Sequence, residues 1–139
     1  MHKNAVTPTF GNEFAAGLDL STSKEALVKP MEATLLPTGI AVEIPEGYVG
    51  ILALRSSTPK KKGLFSPHGV GIIDSDYRGE MFVQVAAMKE DVVIKAGERI
   101  AQLVITPARS VDGVNISAVN ELLELPQTSR GAGGFGSTG

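Results

Sequence analysis

Gly39-Ile-Ala-Val-Glu-Ile44-Pro-Glu-Gly47-Tyr-Val-Gly-Ile-Leu-Ala-Leu54 is the stretch that decides the fold class. Ile40, Val42 and Ile44 alternate with Gly39, Ala41 and Glu43, the two-residue period of a strand with one face buried. Pro45-Glu46-Gly47 is a turn signal, because proline fixes φ and glycine accepts the left-handed region. Tyr48 to Leu54 then reads as the next strand. Outward from there the same grammar repeats. Met81 to Ala87 is apolar on both faces, the pattern of a strand buried between layers or at a subunit contact. Lys95-Ala96-Gly97-Glu98 marks a turn, Ile100 to Thr106 a further strand and Val114 to Val119 another. The chain carries 8 prolines and 16 glycines, which punctuate these runs. The expected architecture is all-β: a sandwich, jelly roll or barrel. Helix signals are scarce. Ser56-Ser57-Thr58-Pro59 predicts one short helix, with serine as N-cap and proline in the first turn. Asn120 to Leu125 reads equally as a helical turn or an extended segment.

A length of 139 residues suits one domain with a real core. A net charge of −2 gives the chain as a whole no affinity for duplex nucleic acid or an acidic membrane. With no cysteine there is no disulfide framework and no thiolate metal site. His2 and His68 are the only histidines, which argues against a histidine-rich zinc centre. No apolar run approaches the ~20 residues of a membrane span, and Met-His-Lys-Asn-Ala-Val-Thr-Pro lacks a signal-peptide core. A soluble, cytoplasmic protein with no nucleic-acid or membrane partner is expected. No internal repeat is visible. The core must rest on Val, Ile, Leu and Ala, since the chain has no Trp, 2 Tyr and 5 Phe. A small β domain with buried apolar strands often completes such a core by oligomerising.

Beyond Pro126 the hydrophobic pattern stops. The expected organisation is therefore a β-barrel domain over 1–126 and a flexible glycine-rich arm over 127–139. The arm ends in Arg130-Gly-Ala-Gly-Gly-Phe-Gly-Ser-Thr-Gly139. Glycine lets backbone N–H groups converge on an anion, Arg130 offers a planar fork for phosphate oxygens, and Phe135 offers a face on which a base could stack. The same composition also describes a frayed terminus, and it lacks the Lys-Ser/Thr ending of a Walker loop. Its meaning depends on the rest of the chain.

Four other segments carry chemistry. Arg55-Ser56-Ser57 follows a strand and opens a helix, which gathers a guanidinium, hydroxyls and free N–H groups; it is an anion site or an ordinary cap. Lys60-Lys61-Lys62 beside it reads as a solvated loop that could lend a weak positive field. Gly71-Ile72-Ile73-Asp74-Ser75-Asp76-Tyr77-Arg78-Gly79 leads into Met81–Ala87 and reads as a β-hairpin with carboxylates and a phenol at its tip. A carboxylate at the end of a rigid strand can act as general base towards water, and Asp74 is the candidate; Asp76 reads as turn chemistry. In Ala16-Gly17-Leu18-Asp19-Leu20 a half-buried carboxylate needs a cation or amides. In Gly97-Glu98-Arg99-Ile100-Ala101-Gln102-Leu103, Gln102 is an amide within an apolar strand and needs a partner, either the sheet or a ligand phosphate.

Taken in order, these five segments (16–20, 55–57, 71–80, 97–103 and 130–139) resemble the five motifs of the trimeric dUTPases. The resemblance runs from about residue 10 to the last glycine. It implies a jelly-roll-like β fold of the β-clip type, one short helix at most, and a homotrimer whose three sites are shared among subunits. It implies hydrolysis of dUTP to dUMP and pyrophosphate, a reaction that keeps uracil out of DNA and supplies dUMP for thymidylate synthesis. Asp74 would activate the water. Arg55, Ser56, Ser57, Gln102, Arg130, Gly136 and Ser137 would hold the phosphates. His68, Gly71, Ile72, Ile73, Tyr77, Phe82 and Phe135 would surround the nucleoside, with Tyr77 excluding a 2′-hydroxyl. Mg²⁺ would bridge the phosphates and touch Asp19 only through water. The hairpin would come from one subunit, Arg55 and Gln102 from a second and the arm from a third.

Two positions depart from the family's commonest pattern. His68 stands where many relatives carry Asn, and imidazole does not offer the paired donor and acceptor of an amide. Leu54 precedes Arg55 where proline is frequent. Two other readings stand beside hydrolysis. Deamination of dCTP on the same fold needs a carboxylate beside the base, for which Glu80 is the one candidate. A nucleotide-gated regulator would present its closed arm to a protein partner.

Overall fold

The computed structural model describes residues 4–108 and 128–129. The segments expected at Val114–Val119 and Asn120–Leu125, the 126/127 boundary, and Arg130, Phe135, Gly136 and Ser137 lie outside the described residues. Within them the order is β1 (Thr9–Phe10), β2 (Leu18–Ser21), β3 (Ala26–Val28), β4 (Thr34–Pro37), β5 (Tyr48–Leu54), α1 (Ser57–Lys62), β6 (Leu64–Phe65), β7 (Gly71–Ile73), β8 (Phe82–Ala87), β9 (Val92–Ile94) and β10 (Arg99–Pro107). These described strands form three sheets: β1-β2-β10-β5-β7, β3-β9 and β4-β8-β6. Every pairing between them is antiparallel. No helix among the described residues is long and apolar enough to cross a membrane.

The core is aliphatic, as the composition requires. Leu20, Leu36, Leu64, Val83, Val85, Ile94, Ile100 and Leu103 are all but fully buried and come from all three sheets. β10 is the keel. Its Leu103 faces Leu18 of β2 and Leu52 of β5. Between Arg99 and Ala101 its register against β2 shifts, so two successive residues, Ile100 and Ala101, are both buried. Such a bulge breaks strict alternation and re-aims the side chains next to it.

Three expectations are corrected. The alternation at Ile40–Ile44 is real in burial, since Ile44 is buried and Ile40 and Val42 pack on the core. Yet the segment forms no strand. Periodicity reports which side chains face the core, not whether the backbone has a neighbour to pair with. Here the chain is tied by single bonds such as Met81 N–H to Ile40 O (2.8 Å). Ile44 fills the space over Gly50, where an added Cβ would lie 2.8 Å from its terminal methyl carbon.

The second correction concerns the hairpin. β7 pairs with β5, whereas β8 pairs with β4 and β6. The Asp74–Met81 loop is therefore an arch between two sheets, and β7 is an edge strand among the described residues, with Ile72 exposed. The third concerns the helix. Lys60–Lys62 form its last turn instead of a loop, a favourable place for cations at the negative end of the dipole. Ser56 stands at the N-cap but is itself helical (φ −54°, ψ −31°) and makes no side-chain cap bond. The start is secured by Thr58, whose N–H donates to Arg55 O (2.9 Å) and whose hydroxyl donates to Ile100 O (2.8 Å).

Candidate active site

The arch between β7 and β8 leaves a cleft. Paired strands lie about 4.8 Å apart, which would leave no room; these two diverge and enclose about 270 Å³. His68, Gly71, Ile72, Ile73, Asp74, Tyr77 and Phe82 line it, together with Glu80 and Met81. All seven described residues predicted to act on the nucleoside or the water thus share one concavity. Because β7 is an edge strand among the described residues, part of its backbone N–H and C=O groups face away from β5.

Each side chain has a local cause. Asp74 follows the last residue of β7, and its carbonyl accepts the Tyr77 N–H (3.1 Å), which closes the turn. Its carboxylate takes no hydrogen bond among the described residues and is exposed. Tyr77 donates its hydroxyl to Glu80 O (2.8 Å), which pins the ring across the arch. The ring lies over Gly79, where a Cβ would come within 2.6 Å of Tyr77 Cζ. A side chain at Gly79 would therefore displace the Tyr77 ring, a constraint of contact rather than of φ. Glu80 accepts the Gly39 N–H (2.7 Å), so this carboxylate anchors the neighbouring chain. His68 Nδ1 is 3.1 Å from Ser66 Oγ, and its Nε2 lies over Gly71.

A second group forms where β2, β5 and β10 meet. Asp19 on β2 sits opposite Gln102 of β10, and Gln102 sits opposite Ala53 of β5. Arg55 follows β5, held by its N–H to Ile100 O (3.1 Å). Asp19, whose side chain is 12% exposed, is satisfied by two guanidiniums: Arg55 Nε at 3.0 Å and Arg99 Nη1 at 3.1 Å. The Gln102 amide packs over Gly17, is half-buried rather than buried, and has no side-chain partner among the described residues. Ser56 and Ser57 adjoin Arg55 at the helix start. Two arginines against one carboxylate leave this corner net positive, with unspent donors. Arg99 was not among the predicted site residues. Its pairing with Asp19 is set by the bulge, which leaves no mark in the local sequence.

β7 and β5 are neighbours in one sheet, but among the described residues no side-chain hydrogen bond or ion pair joins a cleft residue to Asp19, Arg55, Arg99 or Gln102. None of them form a cluster of three or more His, Cys, Asp or Glu able to cage a metal ion. A separate depression of about 370 Å³ is ringed by Lys60, Lys61, Lys62 and Lys89 with Glu90, and it contains none of the predicted site residues.

Comparison with known proteins places the chain in a family. A family model for dUTPase matches residues 3–139. The deoxyuridine 5′-triphosphate nucleotidohydrolase of Hydrogenobaculum sp. (strain Y04AAS1) is 42% identical over 141 residues, covering 100% of this chain and 94% of that protein. The Staphylococcus bacteriophage 80alpha dUTPase solved with dUPNHPP superposes with a TM-score of 0.85 at 29% identity, covering 99% of this chain and 94% of that one. A mutant dUTPase from phage phi11 of S. aureus, whose structure reveals the coordination of a structural Mg(II) ion, gives 0.75 at 26% identity over 85% and 94% of the two chains. An all-β chain with an edge-strand cleft, an arginine-rich corner and these full-length relatives belongs to the dUTPase family.

Proposed function

We propose that this chain is a dUTP diphosphatase that converts dUTP and water to dUMP and pyrophosphate, working as a homotrimer. The observation that carries the reading is the cleft, which gathers Asp74, Tyr77 and the β7 backbone in one place. At about 270 Å³ it is below the ~300–1,000 Å³ of pockets for drug-sized ligands, so it would take the nucleoside end and leave the phosphates outside. Backbone groups of Gly71, Ile72, Ile73 and Phe82 would read the edge of uracil. His68 would stand at the mouth and Phe135 would stack from above. The pinned Tyr77 ring would lie against the deoxyribose and leave no space for a 2′-hydroxyl.

In the reaction an oxygen–phosphorus bond forms between water and the α-phosphorus, and the bond to the bridging α–β oxygen breaks. Asp74 would accept the proton of the attacking water. Its carboxylate is not spent on the turn, which keeps it available as a base. A positioned base of this kind contributes about 10²–10⁴-fold. Arg55, Ser56, Ser57, Gln102 and Arg130, with the N–H groups of Gly136 and Ser137, would hold the phosphates and meet the charge that develops on them. The lack of any side-chain bond between the cleft residues and the corner residues, among those described, favours a site assembled from several chains. In that arrangement Asp74, the corner and the 127–139 arm come from different protomers.

Mg²⁺ fits this donor set. It is a hard ion that keeps waters and leans on substrate phosphates, so it needs no protein cage. Both Asp19 oxygens already serve arginines, but each has a lone pair left for a metal-bound water. When bound, the ion would offset the charge of the triphosphate. The deaminase reading is disfavoured because Glu80, its one candidate proton shuttle, is engaged with Gly39.

The test is incubation with Mg²⁺ and each of dUTP, dTTP, dCTP and UTP, with pyrophosphate and ammonia measured. Pyrophosphate from dUTP alone is expected. Ammonia from dCTP, or tight dUTP binding without any turnover, would overturn the proposal.

A further inference from the structure

We propose that Arg99 is a positioning residue: acting through Asp19, it keeps the two terminal nitrogens of Arg55 free for a triphosphate. The inference rests on the dUTP reading above. Arg55 meets Asp19 through Nε, at 3.0 Å to Oδ1, and not through the end of its fork. A guanidinium held by Nε still offers its four terminal N–H donors. The stronger arrangement for an isolated Arg–carboxylate pair is bidentate, with two parallel bonds to both oxygens. Arg55 could move towards such a pair only by bringing its fork onto Oδ2 as well, and doing so would spend donors that the phosphates need. Arg99 Nη1 already holds Oδ2 at 3.1 Å, so a second guanidinium closing on that oxygen meets like-charge repulsion and crowding.

The backbone explains how Arg99 gets there. It opens β10 opposite Ser21, whereas Asp19 is in register with Gln102. The bulge between Arg99 and Ala101 lets the side chain reach back to a carboxylate it does not face across the ladder. The Arg99 side chain is 59% exposed, so it is not retained for core packing. Asp19 is mostly buried, and holding both its oxygens fixes the carboxylate plane against which Arg55 leans.

The experiment compares wild type, Arg99→Ala, Arg99→Met, Arg99→Lys, Arg55→Ala and the Arg55→Ala/Arg99→Ala double variant in Mg²⁺-dependent dUTP hydrolysis. Arg99→Ala and Arg99→Met are expected to raise KM about tenfold with a smaller change in kcat, at an unchanged melting temperature and oligomer size. Arg99→Lys should recover most of the loss, because a single nitrogen makes the contact. In the Arg55→Ala background the Arg99 change should alter kcat/KM by less than about twofold, since the group it positions is gone. Equal losses in both backgrounds would make Arg99 a direct phosphate ligand and overturn the inference. Wild-type kinetics for Arg99→Met would overturn it too. If Arg99→Ala does not fold, Arg99→Met and Arg99→Lys carry the comparison. If the wild type yields no pyrophosphate from dUTP, the functional reading fails separately. The same cycle is then read by equilibrium binding of inorganic triphosphate, where non-additivity supports the clamp and additivity refutes it.

Discussion

Replacing Asp74 with asparagine removes one negative charge and one proton acceptor while leaving the turn intact, because the Tyr77 N–H bonds to the Asp74 carbonyl and not to its side chain. Asp74→Asn should bind a non-hydrolysable dUTP analogue within a few-fold of wild type and lose about 10²–10⁴ in kcat. Near-normal turnover would take the residue out of its role. Gly79→Ala tests the neighbouring contact. A methyl there meets the Tyr77 ring from below, so the ring must leave its hydrogen bond to Glu80 O. The expected outcome is a falling preference for dUTP over UTP, read as the ratio of kcat/KM values. If that ratio holds, Tyr77 does not police the sugar.

At the scale of elements, α1 is fastened to the turn before β10 by the Lys62–Glu98 ion pair. The Lys62 ammonium donates to Glu98 and holds its carboxyl below the usual glutamate range; the Lys95 amide adds to this against a desolvation cost. A depressed folded value means that the unfolded chain binds the extra proton first. The pair's contribution is therefore complete above the ordinary glutamate range and is lost as pH falls through the depressed value. Urea midpoints of wild type and Glu98→Gln should differ most at neutral pH and converge on acidification. A difference independent of pH would show that the ionised pair contributes nothing. Elements were unevenly legible in the sequence. Tyr48–Leu54 and Ile100–Thr106 are long, apolar and bounded by turn residues, and both are strands. β1 and β6 have two residues each, too few for any period to show. Gly71–Ala87 reads as a hairpin because strand, glycine turn and strand follow one another. Its strands part because β5 and β4 offer them separate partners, a fact held in distant sequence. The candidate site residues stand out in the sequence for a different reason. Their chemistry is conspicuous where they stand: a lone carboxylate after β7, an arginine after β5, an amide inside β10. Arg99 lies in the same 97–103 segment, but nothing local marks it, because its partner Asp19 is distant in sequence.

For the whole molecule, a site divided among protomers has an arithmetic that a self-contained site lacks. Asp74→Asn and a chain cut before Arg130 should each fold and assemble, and each should be nearly inactive. Under the proposed shared-site assembly, co-refolding them in equal amounts would give mixed trimers in which a site needs intact Asp74 from one chain and an intact arm from another. Random assembly satisfies both conditions in roughly one site in four, so about a quarter of wild-type activity should return. Silence from the mixture, with both parents folded, would mean that one chain supplies the whole site.

β7 ends its sheet without a neighbouring strand among the described residues. At three residues this rim is too short to template a second chain, yet its outward N–H and C=O groups still need partners. A nucleobase seated along it would cap the rim much as an added strand would.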